Sequence, residues 1–404
     1  MKIGILTHYY NNRNYGGLLQ AYALTRFVRT IVPDTEQICY QWSMEPYSTE
    51  SSFNGENQLV QGKSESFFKK LLLHFPRRIN DWKLKKIRDK EKQKYYVVNQ
   101  YNEAHALERE TSFDYFQSLV PHSTKIYSAN DIYETNDIYD CFITGSDQVW
   151  NMRWFNPAFF LEHCLPQKIR VAYAVSMGKG KLTDYEKEYL HDVLPQFRAI
   201  SVREKDLVQL LETVDKKFKA TYVLDPVFLL NTDQWDEVVS KPLVSEEYIF
   251  CYILSEKAEI MKLIKQYAKR INCKTVFIPY AHGFNEYGDS YGDINIHNAG
   301  PAEFVSLVKY AKCVITDSFH ATAFSIIYNK EFFVFNRNGL SEMSSRIVSL
   351  TKMAHCESRF CHLPEQKRVS YLLNQHYIDY NLCNKDIEKM KKISMTFLKN
   401  SLFD

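Results

Sequence analysis

The chain has 404 residues, a formal net charge of +3, 45% hydrophobic residues and 25% charged residues. That length exceeds what one hydrophobic core comfortably serves and predicts two domains of roughly 200 residues each. The composition excludes a disordered or fibrous chain, and the near-neutral charge without an RNP, zinc-finger or helix-turn-helix signature excludes nucleic acid as the expected partner.

In chain order, the apolar run at 3–7 reads as a strand, the polar stretch 11–17 as a loop, and 18–30 as a helix with Leu19, Tyr22, Ala23 and Phe27 on one side. A second strand is expected at 37–42. The segment 63–94 then carries a dense set of Lys and Arg interleaved with aromatic and aliphatic residues, with Pro76 separating two helices. It has two readings: a helical insertion docked by its apolar side, or a surface that approaches anionic lipid or a lipid-linked pyrophosphate acceptor at the inner face of the membrane. Further strands are expected at 140–144, 169–175, 199–202 and 222–224, and in a second series at 248–254, 275–278, 313–316 and 332–335. Helices at 257–271, 301–311 and 320–328 alternate with that second series, and a lysine-rich amphipathic helix closes the chain.

Short apolar strands alternating with amphipathic helices predict parallel sheets covered on both faces. The expected fold is α/β, two Rossmann-like doubly wound lobes facing a cleft. The expected divisions are 1–224 with a basic helical insertion near 60–110, 225–383, and a terminal helix at 384–404. Ligands bind such sheets at the carboxyl ends of their strands, so both lobes are expected to turn those ends toward the cleft. No apolar run reaches the roughly 20 residues of a membrane span. The first residues enter a strand without a basic region or cleavage site, which predicts a cytoplasmic protein. The nine cysteines include no CxxC pair, which predicts free thiols, no disulfide frame and no structural zinc.

Five constellations are candidates for chemistry. In Cys313-Val-Ile-Thr-Asp-Ser-Phe-His, a strand breaks at Asp317 and Ser318 and places Phe319 and His320 in the first helical turn. Free N–H groups and the macrodipole make that a place for an anion, with Asp317 or Ser318 as cap. A bound phosphate or carboxylate would keep His320 protonated, so it acts as an acid only with substrate present; otherwise it is a capping histidine. In Ala199-Ile-Ser-Val-Arg-Glu, a strand ends on Arg203, placed either to grip a phosphate or carboxylate or to pair with Glu204 at the surface. Ser176, Gly178 and Lys179 follow the strand at 169–175, where Gly178 permits close backbone approach and Lys179 adds charge, or the trio is only a turn. Ser146, Asp147 and Gln148 follow the strand at 140–144 and suit sugar hydroxyls or a helix cap, while Trp150 either stacks on a pyranose or fills the core. Asn14 and Gly16 lie in a loop between the first strand and first helix where glycine permits backbone approach to a bound substrate, although the loop lacks the spacing of a dinucleotide or ATP site.

Together these segments resemble the polysaccharide pyruvyltransferases: NYGGLLQAYAL at 14–24, YDCFITGSDQVWN at 139–151, AYAVSMGK at 172–179, SVREKD at 201–206, LDPVFLL at 224–230 and TDSFHATAFSIIYNK at 316–330, in order and at the right spacing. The resemblance implies a two-lobed, glycosyltransferase-B-like fold and transfer of pyruvate, as a ketal, from phosphoenolpyruvate to a sugar of a capsular or other cell-surface polysaccharide. It puts His320 and Arg203 in the donor pocket. Many relatives carry Arg-Leu-His-Ala where this chain has Ser-Phe-His-Ala, so Ser318 replaces an arginine, and Lys179 and Arg346, with Arg13 a weaker third, are candidates for the missing charge. The expected partners are phosphoenolpyruvate and a sugar or lipid-linked oligosaccharide, with no cofactor and no metal. A nucleotide-sugar glycosyltransferase and a non-catalytic polysaccharide-assembly protein are the alternatives, since fold does not decide function.

Overall fold

A computed structural model describes residues 1–42, 106–255, 258–279, 292–336, 341–361 and 369–403. The basic stretch 63–94 lies outside the described residues. The first sheet is formed by β1 (Ile3–Leu6), β2 (Thr35–Tyr40), β3 (His122–Tyr127), β4 (Cys141–Thr144), β5 (Ile169–Val175), β6 (Ala199–Val202) and β7 (Ala220–Tyr222). Its order is β3-β2-β1-β4-β5-β6-β7, parallel throughout. The second is formed by β8 (Tyr248–Tyr252), β9 (Lys274–Phe277), β10 (Ile294–Asn295), β11 (Cys313–Thr316), β12 (Glu331–Phe335) and β13 (Phe360–Cys361), parallel in the order β10-β9-β8-β11-β12-β13. Each lobe is thus doubly wound. The strand order reverses beside β1 and β4 in the first lobe and beside β8 and β11 in the second, the switch points where such sheets bind ligands.

The strands form where buried β-type residues run together: β1, β4, β8 and β11 are buried at every position. Sequence patterning does not register β3, whose HSTKIY is mostly exposed at the sheet edge, or the two-residue β10 and β13. The last strand of the first lobe ends at Tyr222, two residues before the expected run closes.

Helix α1 (Tyr15–Arg29) begins inside the polar stretch expected to be loop, because Asn14 caps it by accepting from the Gly17 N–H at 3.3 Å. Its first residue anchors it in the other lobe. The Tyr15 ring stacks on Phe304 at 4.8 Å and its hydroxyl donates to the Ala299 carbonyl at 2.8 Å. Helix α2 (Ala106–Ser118), at the end of the expected insertion, adds Phe113 and Phe116 to the same inter-lobe core. Trp235 packs between Tyr22 of α1 and Phe324, with ring centroids 5.6 and 4.9 Å away. The lobes therefore share an apolar core, and the site lies along its polar margin.

Four more helices frame the site or tie the lobes together: α3 (Asp184–Val193), α4 (Lys205–Glu212), α5 (Phe319–Ile327) and α6 (Tyr380–Phe403). Helix α6 starts ahead of the expected 384 and crosses back to the first lobe. Cys383 and Ile387 join the inter-lobe core, Leu398 and Leu402 pack with Ile3, Ile5 and Val171, and the Ser394 hydroxyl accepts from the Leu224 N–H at 2.9 Å. The nine cysteines are free, eight of them buried.

Candidate active site between the lobes

Most groups of the site hang from the carboxyl ends of strands: those after β4 and β11 stand at the two switch points, and those after β6 and β7 reach in from farther along the first sheet. At the end of β4 the chain turns sharply, and Asp147 sits in the left-handed region at φ 70°. A bridge to Val175 and a bond from the Ser176 N–H to its carbonyl hold it there. The Ser201 hydroxyl supports the irregular end of β5, accepting from the Ala174 N–H and donating to the Ala172 carbonyl, both at 3.1 Å.

Arg203, at the end of β6, is buried and already engaged. One amino group donates to Asp147 Oδ1 and the other to Asp225 Oδ2, each at 2.7 Å, while its Nε lies 3.7 Å from Glu204. The pairing with Glu204 therefore exists, but in the interior rather than at the surface. Burial works against both charges, yet each partner holds the other: Arg203 keeps the Asp147 carboxyl far below the usual carboxylate range, and the carboxylates push Arg203 further up. Glu204 is pushed up by its burial and accepts from the Ser176 hydroxyl at 2.5 Å.

From the second lobe, β11 delivers Asp317, whose carboxylate accepts from the Leu254 and Ser255 N–H groups at 2.7 and 2.8 Å and ties the loop after β8 to the switch point. Ser318 caps α5 through Ala321 N–H. His320 follows in its first turn, buried, with Nε2 3.7 Å from Asp225 Oδ2 and no hydrogen-bond partner for that nitrogen among the described residues. Burial lowers its pKa, and Arg203 and Arg346 reinforce that against Asp225 and Asp147, so the imidazole is neutral near pH 7. Its ring rests on α1: a Cβ on Gly16 would stand 1.9 Å from His320 Nδ1. The N-termini of one helix from each lobe thus meet at this imidazole.

Phe319 presents its ring to two guanidinium groups, Arg203 at 4.9 Å and Arg346 at 5.8 Å. Arg346 also lies 3.7 Å from Asp147, and with the Gln148 amide turned to face it, the amide oxygen accepts from Arg346 at 2.8 Å. Of the three cations weighed for the charge missing at 318, Arg346 is at the cluster. Lys179 binds Glu186 at 2.6 Å in the capping box of α3, and Arg13 pairs with Glu110 and Asp114 of α2. Gly178, at φ 61°, backs onto Gln148 and Asn151. Ser146 is fully buried and donates to the Ala174 carbonyl, so like Ser176 it braces the site from within. Trp150 is core: it stacks on Phe160 and donates to the Phe159 carbonyl.

Two site residues escape the reading of sequence. Asp225 joins Arg203 of the first lobe to His320 of the second, and the signal for it is the LDPVFLL segment itself. His8, just past β1, is buried within reach of the Asp147 charge.

Two doubly wound lobes with charged groups converging on both switch points define a glycosyltransferase-B-like architecture. Among solved structures, UDP-GlcNAc 2-epimerase of Methanocaldococcus jannaschii aligns at a TM-score of 0.51 and 11% identity, over 97% of this chain and 99% of that one. A putative UDP-N-acetylglucosamine 2-epimerase of Listeria monocytogenes aligns at 0.46 and 10%, covering 97% and 91%, and the wall teichoic acid polymerase TagF at 0.45 and 10%, covering 100% and 90%. No curated protein matches in sequence. The sequence profile of the polysaccharide pyruvyl transferase family matches residues 14–339. The chain belongs to that family, whose members are transferases of polysaccharide biosynthesis. No helix among the described residues is long and apolar enough to cross a membrane.

Proposed function

We propose that this protein transfers pyruvate from phosphoenolpyruvate, as a ketal, to a pair of hydroxyls on a sugar of a capsular or other cell-surface polysaccharide precursor, free or lipid-linked. The observation that carries the reading is the buried His320 Nε2, 3.7 Å from a carboxylate and without a hydrogen-bond partner among the described residues, at a helix N-terminus between both switch points. A buried polar atom left unpaired costs about 1–3 kcal/mol, a cost that a bound substrate relieves.

His320 is the general acid. An anionic donor beside it raises its pKa, so the proton becomes available as phosphoenolpyruvate enters. The proton goes to the methylene carbon, C2 takes on oxocarbenium character, a sugar hydroxyl attacks there, phosphate leaves, and a second hydroxyl closes the ketal. Asp225 favours the imidazolium, while Arg203, locked between Asp147 and Asp225, is a positioning residue whose charge offsets both carboxylates. The donor's phosphate and carboxylate meet Arg346 and the two helix N-termini.

The test is phosphate release by purified protein with phosphoenolpyruvate and a galactoside acceptor. His320→Ala is expected to lower turnover roughly 10²–10⁴-fold, the usual worth of a general acid. Arg346→Ala is expected chiefly to raise the KM for phosphoenolpyruvate. Wild-type rates in His320→Ala, or a melting temperature raised by UDP-sugars and not by phosphoenolpyruvate, would exclude the reading.

A further inference from the structure

His8 lies at the first lobe's switch point, and the chemistry assigned to His320 leaves it idle. Thr7 donates to the Ser146 carbonyl at 2.9 Å, which fixes the end of β1 against the turn that carries Asp147. The imidazole stacks on Trp42 with ring centroids 4.1 Å apart and meets Phe159 edge-on at 4.6 Å. Two aromatic neighbours thus fix its plane. It is 6% exposed, and Nε2 has no hydrogen-bond partner among the described residues. A histidine kept only for stacking would be expected to satisfy its buried nitrogen, as most buried polar atoms are. The charges of Asp147 and Arg203 act on it, and both also act on His320, whose nearest carboxylate is Asp225. Burial pushes its pKa down to about 4, which leaves a neutral imidazole with a lone pair at neutral pH.

Resting on the pyruvyl-transfer reading, we propose that His8 is the second catalytic residue, the base that takes the proton of the attacking sugar hydroxyl. The acceptor then enters on the first-lobe side of Asp147 and the donor on the second-lobe side. In the first step His320 gives its proton to the methylene carbon, the first hydroxyl oxygen bonds to C2, and its proton passes to His8. In the second step the bond from C2 to the phosphate oxygen breaks and phosphate leaves with the proton from His8. The second hydroxyl then bonds to C2 and returns its proton to His320. Both imidazoles are restored, and the sequence of steps calls for no oxidant.

The test is steady-state phosphate release from phosphoenolpyruvate with methyl galactoside, on wild type, His8→Phe and His8→Gln. Phe is the better stacking partner for Trp42 and Phe159, so a packing role predicts full activity in His8→Phe. A base predicts a kcat lower by roughly 10²-fold or more in both variants, with the KM for phosphoenolpyruvate and its stabilisation of the melting temperature retained. Wild-type kcat in His8→Phe overturns the assignment and leaves pyruvyl transfer standing. If the wild type neither releases phosphate nor is stabilised by phosphoenolpyruvate, the underlying reading falls and the role of His8 with it.

Discussion

Gly16 is the residue on which the site closes. The first turn of a helix gains from Ala over Gly by up to about 1 kcal/mol, yet here the added methyl would occupy the place of His320 Nδ1. The clash wins. Gly16→Ala is expected to cost about 1–3 kcal/mol in an unfolding titration and to lower turnover by more than that stability loss explains, because the imidazole must swing away from Asp225. A variant with unchanged turnover would mean that His320 does not need its present seat. Sequence patterning puts His320 and Arg203 at the right strand ends, since a break after a buried run shows in the pattern. It does not show the partners of Arg203, which come from 22 and 56 positions away and are brought close only by the parallel order of β4, β6 and the turn after β7.

At the scale of elements, legibility follows burial. Strands buried at all but their first position or throughout, such as β5, β6 and β11, stand where their apolar runs predict them. The edge strand β3 does not register because only two of its six positions are buried. Patterning starts helix α1 three residues late because its first turn is Tyr-Gly-Gly, poor in helix formers, and only the Asn14 cap and the docking of Tyr15 on Phe304 begin it there. The terminal helix illustrates tertiary choice. Its amphipathic pattern allows packing on either lobe, and the structure uses different turns of it for each. The ends of α1 and α5 meeting at one imidazole is a property of two elements from separate lobes, so no local pattern contains it.

At the scale of the molecule, three histidines among the described residues are held in neutral form: the buried His8, pushed down to about 4, the half-buried His163, pushed down to about 3, and the buried His320, also lowered, each chiefly by loss of water around the ring. Their folded pKa values lie below the unfolded value of about 6.5, so the unfolded chain binds more protons in acid. Stability is therefore expected to be full above about pH 6.5 and to fall as pH drops toward 4, with His8 alone contributing on the order of 3 kcal/mol at about 1.36 kcal/mol per pKa unit. Melting temperatures across pH 7 to 4 check this, and a flat profile would contradict the neutral state of these groups.

A crystal structure with bound phosphoenolpyruvate reaches the account most directly. The expected result is a phosphorylated carboxylate within hydrogen-bond distance of His320 and Arg346, between the N-termini of α1 and α5, with Arg203 still held by Asp147 and Asp225. Phosphoenolpyruvate bound away from His320, or a nucleotide sugar occupying that place in its stead, would contradict it.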